Sequence, residues 1–374
     1  MRDAWLAERT KLIQASGIRR VFDLARELTH PVNLSIGQPH FDVPTPIKQA
    51  AIAAILAGQN GYTVTQGIAE LRDKLRQRIR QSLPDGDRDV LITSGTSGGL
   101  VLAVLATVNP GDEVIIFDPY FVMYPHLVRM AGGIPVFVDT YPDFQMDPDR
   151  VRQAITRATK LILFNSPCNP TGTVVSRERV KALAEIAAKY GLLLVSDEVY
   201  RAFCYDREFT SPVEFNPNVL VLDGFSKAYG MTGWRLGYAH GPRRLIEEIA
   251  KLQQFTFVCA PSIVQHAGIV ALDWDVSPTV AEYRSKRDRI CAALQGYYQL
   301  VVPDGAFYLF PRVPWGSDEE FVAACVGEQL LVIPGSVFSQ RNTHFRISYA
   351  ADDETIERGI EILIRLARRG SKTT

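Results

Sequence analysis

At 374 residues, with 41 basic and 41 acidic side chains, the chain is long enough for two domains. It has no charge excess that would draw it to nucleic acid or an anionic membrane. Five scattered cysteines (168, 204, 259, 291 and 325) disfavour a disulfide framework or a zinc site, and no apolar run is long enough to span a bilayer.

Taken in order, residues 1 to about 28 place apolar side chains at helical spacing (Leu12, Ile13, Val21, Phe22, Leu24, Ala25, Leu28). No basic-then-apolar leader is visible in MRDAWLAERTK, so the expectation is a soluble cytoplasmic protein. The proline-rich HPVNLSIGQPHFDVPTP has no period and reads as a loop. Helices are expected over 46–57, ended by Gly58, and over 68–83, where Leu71, Leu75 and Ile79 recur every four residues before Pro84. A βα rhythm follows. Short branched runs at 90–93, 114–117, 136–138, 161–164, 192–195 and 219–222 read as strands. Helical patterns intervene at 100–108, 148–158 and 177–190. Such alternation argues a mostly parallel sheet covered on both faces. From about residue 277 the rhythm changes to a long helix (279–297) and isolated strands and helices, which suggests a smaller α+β unit. The final RRGSKTT reads as a loose tail.

Four stretches carry chemistry. SGTSGG (94–99) lies between a strand and a helix, as a glycine-rich phosphate-binding turn would. It is neither a Walker loop nor GxGxxG, which disfavours a nucleoside triphosphate or NAD. NSPCNPTG (165–172) can present an amide from a rigid turn, and SDEVY puts Asp197 and Tyr200 just past a strand end. GFSKAYGMTGWRLGY (224–238) encloses Lys227, with Arg235 eight positions on. Enclosure lowers a lysine pKa and makes its amine a nucleophile, while an arginine fork suits a phosphate. Alone, these are a helix cap, a turn, an N-cap aspartate and a surface lysine. Together they ask for a ligand with a phosphate, a ring nitrogen and an aldehyde, and pyridoxal 5′-phosphate has all three.

SPCNPTG, SDEVY, GFSKAYGMTGWRLGY and the late FRISYA together resemble the fold-type I, class I/II aminotransferases, the aspartate and aromatic aminotransferase superfamily. The resemblance runs from LSIGQPHFDVPTP to FRISYA. It implies an α/β fold: a large three-layer α/β/α domain with a mostly parallel seven-stranded sheet, plus a smaller α+β domain. The expected division is 46–276 for the large domain and 277–374 for the small one, with 1–45 packing on the latter.

For the site, the resemblance implies that Lys227 bonds the cofactor and then relays a proton. Asp197 would pair with the ring nitrogen, and Tyr200 and Asn169 would hydrogen-bond the ring oxygen. Phe121 would stack on the ring. Gly95, Thr96, Ser97, Ser226 and Arg235 would hold the phosphate, and Tyr62 would reach the phosphate of a partner subunit in a homodimer with shared sites. Arg346 would clamp the substrate carboxylate, helped by Asn169 and the backbone at Gly37. Three positions depart from the family pattern: Gly224 stands where many relatives carry serine, His40 where an acidic residue is usual, and Cys168 where asparagine is usual. The implied reaction moves an amino group from an L-amino acid to a 2-oxo acid such as 2-oxoglutarate, with ping-pong kinetics. Cystathionine or cysteine-conjugate β-lyases and aminocyclopropane-carboxylate synthases share these motifs. A regulator carrying such a domain would need a DNA-binding helix-turn-helix, and only about 30 residues precede the match. Side-chain selectivity is expected near Ile13, Ile18, Tyr124 and Ser262.

Overall fold

The structure, a computed structural model, describes residues 5–13, 17, 28–83 and 87–370. Ile18, Val21, Phe22, Leu24, Ala25, the stop at Pro84 and the last four residues lie outside the described residues.

Strand β1 (Val32–Asn33) precedes the helices Thr45–Leu56 and Ala69–Ser82. Then come β2 (Arg88–Ser94), β3 (Glu113–Asp118), β4 (Ile134–Asp139), β5 (Thr159–Asn165), β6 (Leu193–Asp197), β7 (Leu220–Gly224) and β8 (Leu236–Pro242). Among the described residues these seven strands form one sheet in the order β2-β8-β7-β6-β5-β3-β4. Neighbours from β7 to β4 run parallel, and β8 is antiparallel to both β7 and β2.

Alternation explains why the predicted runs were continuous in apolar residues. In β3, β5 and β7, Val114, Ile116, Leu161, Leu163, Leu220 and Leu222 pack on one face with Leu100 and Val104 of the helix Gly95–Thr107. Ile115, Ile162, Phe164, Val219 and Val221 pack on the other with Val180 and Leu183 of the helix Arg177–Tyr190. Both faces are dry, so both parities are apolar.

Two expectations need correction. SGTSGG is the first turn of a helix, Gly95–Thr107, not a turn before one. Its glycines let the helix lie close to the sheet: a Cβ on Gly99 would sit 3.1 Å from Leu222 Cδ2. The strand β8 had no expected counterpart. Its sequence, LGYAHGP, holds two glycines and a histidine and lacks an apolar run.

After the helix Ser277–Leu294, the short strands β9 (Tyr308–Leu309), β10 (Leu330–Leu331), β11 (Ile333–Pro334) and β12 (Phe345–Ser348) follow. β12 lies between β11 and β9, antiparallel to both, while β10 pairs in parallel with β1. Tyr283, Phe307, Phe345, Ile360 and Leu363 form the core here, joined by Val32 and Leu34 from the other end of the chain.

At Gly237 in β8 two backbones meet closely: a Cβ there would lie 2.6 Å from both Gly95 C and Thr96 N. Gly237→Ala is expected to destabilise the protein by about 1–3 kcal/mol through overpacking. Urea unfolding should show a lower midpoint at unchanged slope. A midpoint equal to that of the parent would mean the helix start can yield.

Candidate active site

The site follows from strand parity. β5, β6 and β7 are adjacent and in register, with Asn165 opposite Asp197 and Asp197 opposite Leu222. Continuing the inward alternation of Leu161, Leu163, Val195, Leu220 and Leu222 brings Asn165, Asp197 and Gly224 to the face that carries the helix Gly95–Thr107. These are also the carboxyl ends of the strands, where open α/β sheets bind ligands.

A cavity of about 330 Å³ opens there. It brings together Gly37, Thr96, Ser97, Phe121, Asn169, Asp197, Tyr200, Ser226, Lys227, Arg235 and Arg346. Gly95 stands just behind its wall. Its φ is +67°, and a Cβ on it would fall 2.4 Å from Arg235 Nη2, so glycine lets the guanidinium rest on the helix start. The Thr96 hydroxyl is buried without a hydrogen-bond partner. A helix N-terminus, an arginine and an unsatisfied hydroxyl form an anion cradle. Tyr62 lies outside the pocket and is 89% exposed.

Opposite the cradle, Asp197 is buried. Tyr124 Oη donates to its Oδ2 at 2.8 Å and the Val199 N–H to its Oδ1 at 3.3 Å. Burial nonetheless pushes the carboxyl up to about 6. Lys227 is partly buried, and its Nζ donates to Gly37 O at 2.5 Å. Burial, with Arg346 and Arg235 nearby, brings its pKa down to about 8, against the pull of Asp197.

The third corner is cationic. Arg346 Nη1 donates to Asn169 Oδ1 at 3.0 Å and Nη2 to Ser35 O at 2.7 Å, while Nε is buried without a partner. Asn165 holds this corner to the sheet: its Nδ2 donates to Asp197 O and its Oδ1 accepts from the Asn169 N–H, both at 2.9 Å. The acceptor of Asn169 is thus spent on Arg346, which leaves its amide donors for a ligand.

Sequence reasoning missed three participants. Asn165 was visible as the first asparagine of NSPCNPTG, and Tyr124 was read for selectivity rather than as the Asp197 partner. Tyr308, whose hydroxyl is 2.7 Å from that of Tyr200, comes from β9 and has no local signal. The departures also find a place. A side chain at Gly224 would put Cβ 2.7 Å from Thr96 Oγ1, so glycine there accommodates the threonine. His40 joins its loop to the helix Ser277–Leu294: Nδ1 meets Tyr283 Oη at 3.0 Å, and Nε2 meets Lys286 Nζ and Glu282 Oε1 at 2.9 Å each. Cys168 stays a thiol, since burial pushes it up to about 11.

The family model described as aminotransferase class I and II matches residues 29–363. A probable aspartate aminotransferase of Methanocaldococcus jannaschii is 38% identical over 371 residues, covering 96% of this chain and 98% of the relative. An aspartate/prephenate aminotransferase of Thermus thermophilus is 37% identical, covering 94% of each. Among solved structures, the aspartate aminotransferase of Thermus thermophilus with maleate superposes with a TM-score of 0.92 at 34% identity, covering 96% of this chain and 99% of that one.

The depressed Lys227 amine gives a direct test. In ligand-free protein, labelling of Lys227 by an amine-selective reagent should rise with pH to half-maximal near pH 8, as the neutral form grows in. Surface lysines, with pKa about 10.4, should lag by about two pH units. Peptide mass spectrometry at each pH reads both, and a midpoint for Lys227 among the surface lysines would contradict the electrostatics described.

Proposed function

The chain belongs to the aminotransferase class I and II family, and we propose that its pocket holds pyridoxal 5′-phosphate, with each residue named above acting in the role its position suggests. The reading rests on one observation: a depressed lysine and an elevated, buried carboxyl face the same cavity as an anion cradle. The residues present fit the group. The cradle of Gly95, Thr96, Ser97, Ser226 and Arg235 suits a phosphate and would satisfy the orphaned Thr96 hydroxyl. When bound, the cofactor supplies an aldehyde and a conjugated ring that withdraws electrons from the substrate Cα.

The protein does the rest. A Lys227 amine titrating near 8 is partly neutral at physiological pH, so it serves first as nucleophile and then as the base and acid at the substrate Cα. Asp197, oriented by Tyr124 and the Val199 N–H, keeps a proton on the ring nitrogen. A cation there relieves the cost of its burial. Tyr200 and the Asn169 amide donate to the ring oxygen, and Phe121, whose ring is set edge-on to Tyr124, covers a ring face. Arg346 is held by Asn169, Ser35 and the rings of Tyr308 and Phe338 at 4.7 and 4.6 Å. It binds the α-carboxylate of the amino acid beside Gly37.

The donor is an L-amino acid and the acceptor a 2-oxo acid, with 2-oxoglutarate the first to test and ping-pong kinetics. The relatives' names put aspartate first among the donors to test and prephenate, itself a 2-oxo acid, among the acceptors. Residues 46–276 form the large unit and 277–374 the small one, with 1–45 packed on the latter; Val32 and Leu34 in the C-terminal core support that division. A homodimer brings Tyr62 of each subunit to the partner's phosphate. The exposed Tyr62, Val64, Phe255 and Val258 support a partner on that side. The compartment is the cytoplasm, which the free cysteines suit. No described helix is long and apolar enough to cross a membrane.

Mixing the protein with an amino acid and 2-oxoglutarate should yield glutamate; pyruvate and ammonia instead would mark β-elimination. Borohydride should fix the cofactor on Lys227, and Lys227→Ala should lose at least about a thousandfold in turnover. Undiminished turnover in that variant would remove the reading. Arg346→Gln should raise KM for the amino acid about tenfold to a hundredfold, with a smaller change in kcat. An unchanged KM would take the carboxylate away from Arg346.

A further inference from the structure

We infer that Tyr308 is a positioning residue: its hydroxyl donates to Tyr200, leaving the Tyr200 proton for the pocket, and its ring supports the Arg346 guanidinium. This rests on the cofactor reading above. Tyr308 reaches the site because β9 pairs with β12, placing Tyr308 opposite Ser348 and Leu309 opposite Ile347. Arg346 and Ser348 share a face of β12, so Tyr308 and Arg346 are diagonal neighbours on it. The guanidinium carbon lies 4.7 Å from the centre of the Tyr308 ring. The hydroxyl of Tyr308 lies against Gly37, where a Cβ would be 2.5 Å from it, and 2.7 Å from Tyr200 Oη.

Of the two protons on a pair of buried hydroxyls in contact, one lies in the bond between them, and which hydroxyl donates it decides what Tyr200 can do. If Tyr200 gave its proton to Tyr308, it could offer the pocket only an acceptor. The surroundings favour the opposite direction. Burial raises both phenols, and Arg346 opposes this at both. Its guanidinium lies closer over Tyr308, at 4.7 Å, than the Lys227 amine lies over Tyr200, at 5.9 Å, and Tyr200 alone also faces the Asp197 charge. The more acidic phenol is the better donor. Accepting that bond also strengthens the Tyr200 O–H as a donor in turn. The pair therefore delivers a polarised O–H toward the ring oxygen.

Tyr308→Phe removes the hydroxyl and keeps the ring over Arg346. With the protein loaded with pyridoxal 5′-phosphate, the pH midpoint of the visible absorption band is read in the parent, Tyr308→Phe, Tyr200→Phe and the double variant. Weaker donation to an anionic ring oxygen leaves the neighbouring nitrogen more basic, so the midpoint in Tyr308→Phe should rise by about half to one pH unit. Tyr200→Phe should raise it further, and adding Tyr308→Phe to Tyr200→Phe should change nothing more. Tyr308→Leu, which also removes the platform, should in addition raise KM for the amino acid, whereas Tyr308→Phe should leave KM within about twofold. An unmoved midpoint in Tyr308→Phe, or full additivity in the double variant, overturns the inference while the cofactor reading stands. A parent protein that binds no pyridoxal 5′-phosphate overturns both.

Discussion

A carboxyl and an amine in one pocket, each held away from its ordinary pKa, are the constraint to which the rest of the site responds. Asp197, at about 6, costs the folded chain stability as pH rises through the window from about 4, its unfolded value, to about 6. Lys227, at about 8, is the mirror case: its cost is fully present below pH 8 and is relieved as pH rises toward its unfolded value of about 10.4. Near neutral pH the fold therefore carries both costs. A ligand that presents a cation to one and takes the charge off the other stabilises the protein by more than its surface contacts alone would.

What holds the two groups is the sheet. Asp197 ends β6, and Lys227 follows β7 by three residues. Between β7 and β2 runs the antiparallel β8, whose Gly237 lets the start of the helix Gly95–Thr107 approach. The cradle and the amine are thus mounted on either side of one strand. The acid is a neighbour on the next, so their separations are set by strand spacing rather than by loop conformation.

The parts that were legible in the sequence share a cause. Strands buried on both faces leave continuous branched runs, and β3, β5, β6 and β7 announce themselves this way, while β2 and the half-exposed edge strand β4 show shorter branched runs. The motifs SDEVY and GFSKAYG place Asp197 and Lys227 because turns after parallel strands are short and fixed. β8 stayed hidden because close backbone approach requires the glycines that blur a strand signal. Tyr308 and Tyr124 stayed hidden for another reason. Their contacts with Tyr200 and Asp197 span 108 and 73 residues of sequence, and no local pattern encodes a hydroxyl meeting another so far away. The glycine at 224 looked like a loss and is instead the complement of Thr96.

Chain order gives the β12 contribution a temporal side. Domains generally fold as units, N-terminal first, as a chain leaves the ribosome. Cradle, acid and amine all precede Pro242, whereas Tyr308 and Arg346 arrive with β9 and β12, and β1 must wait for β10 before the loop at Gly37 can settle. During synthesis the half of the pocket that carries the anion cradle, Asp197 and Lys227 is thus already made while the half that carries Tyr308 and Arg346 is still untranslated.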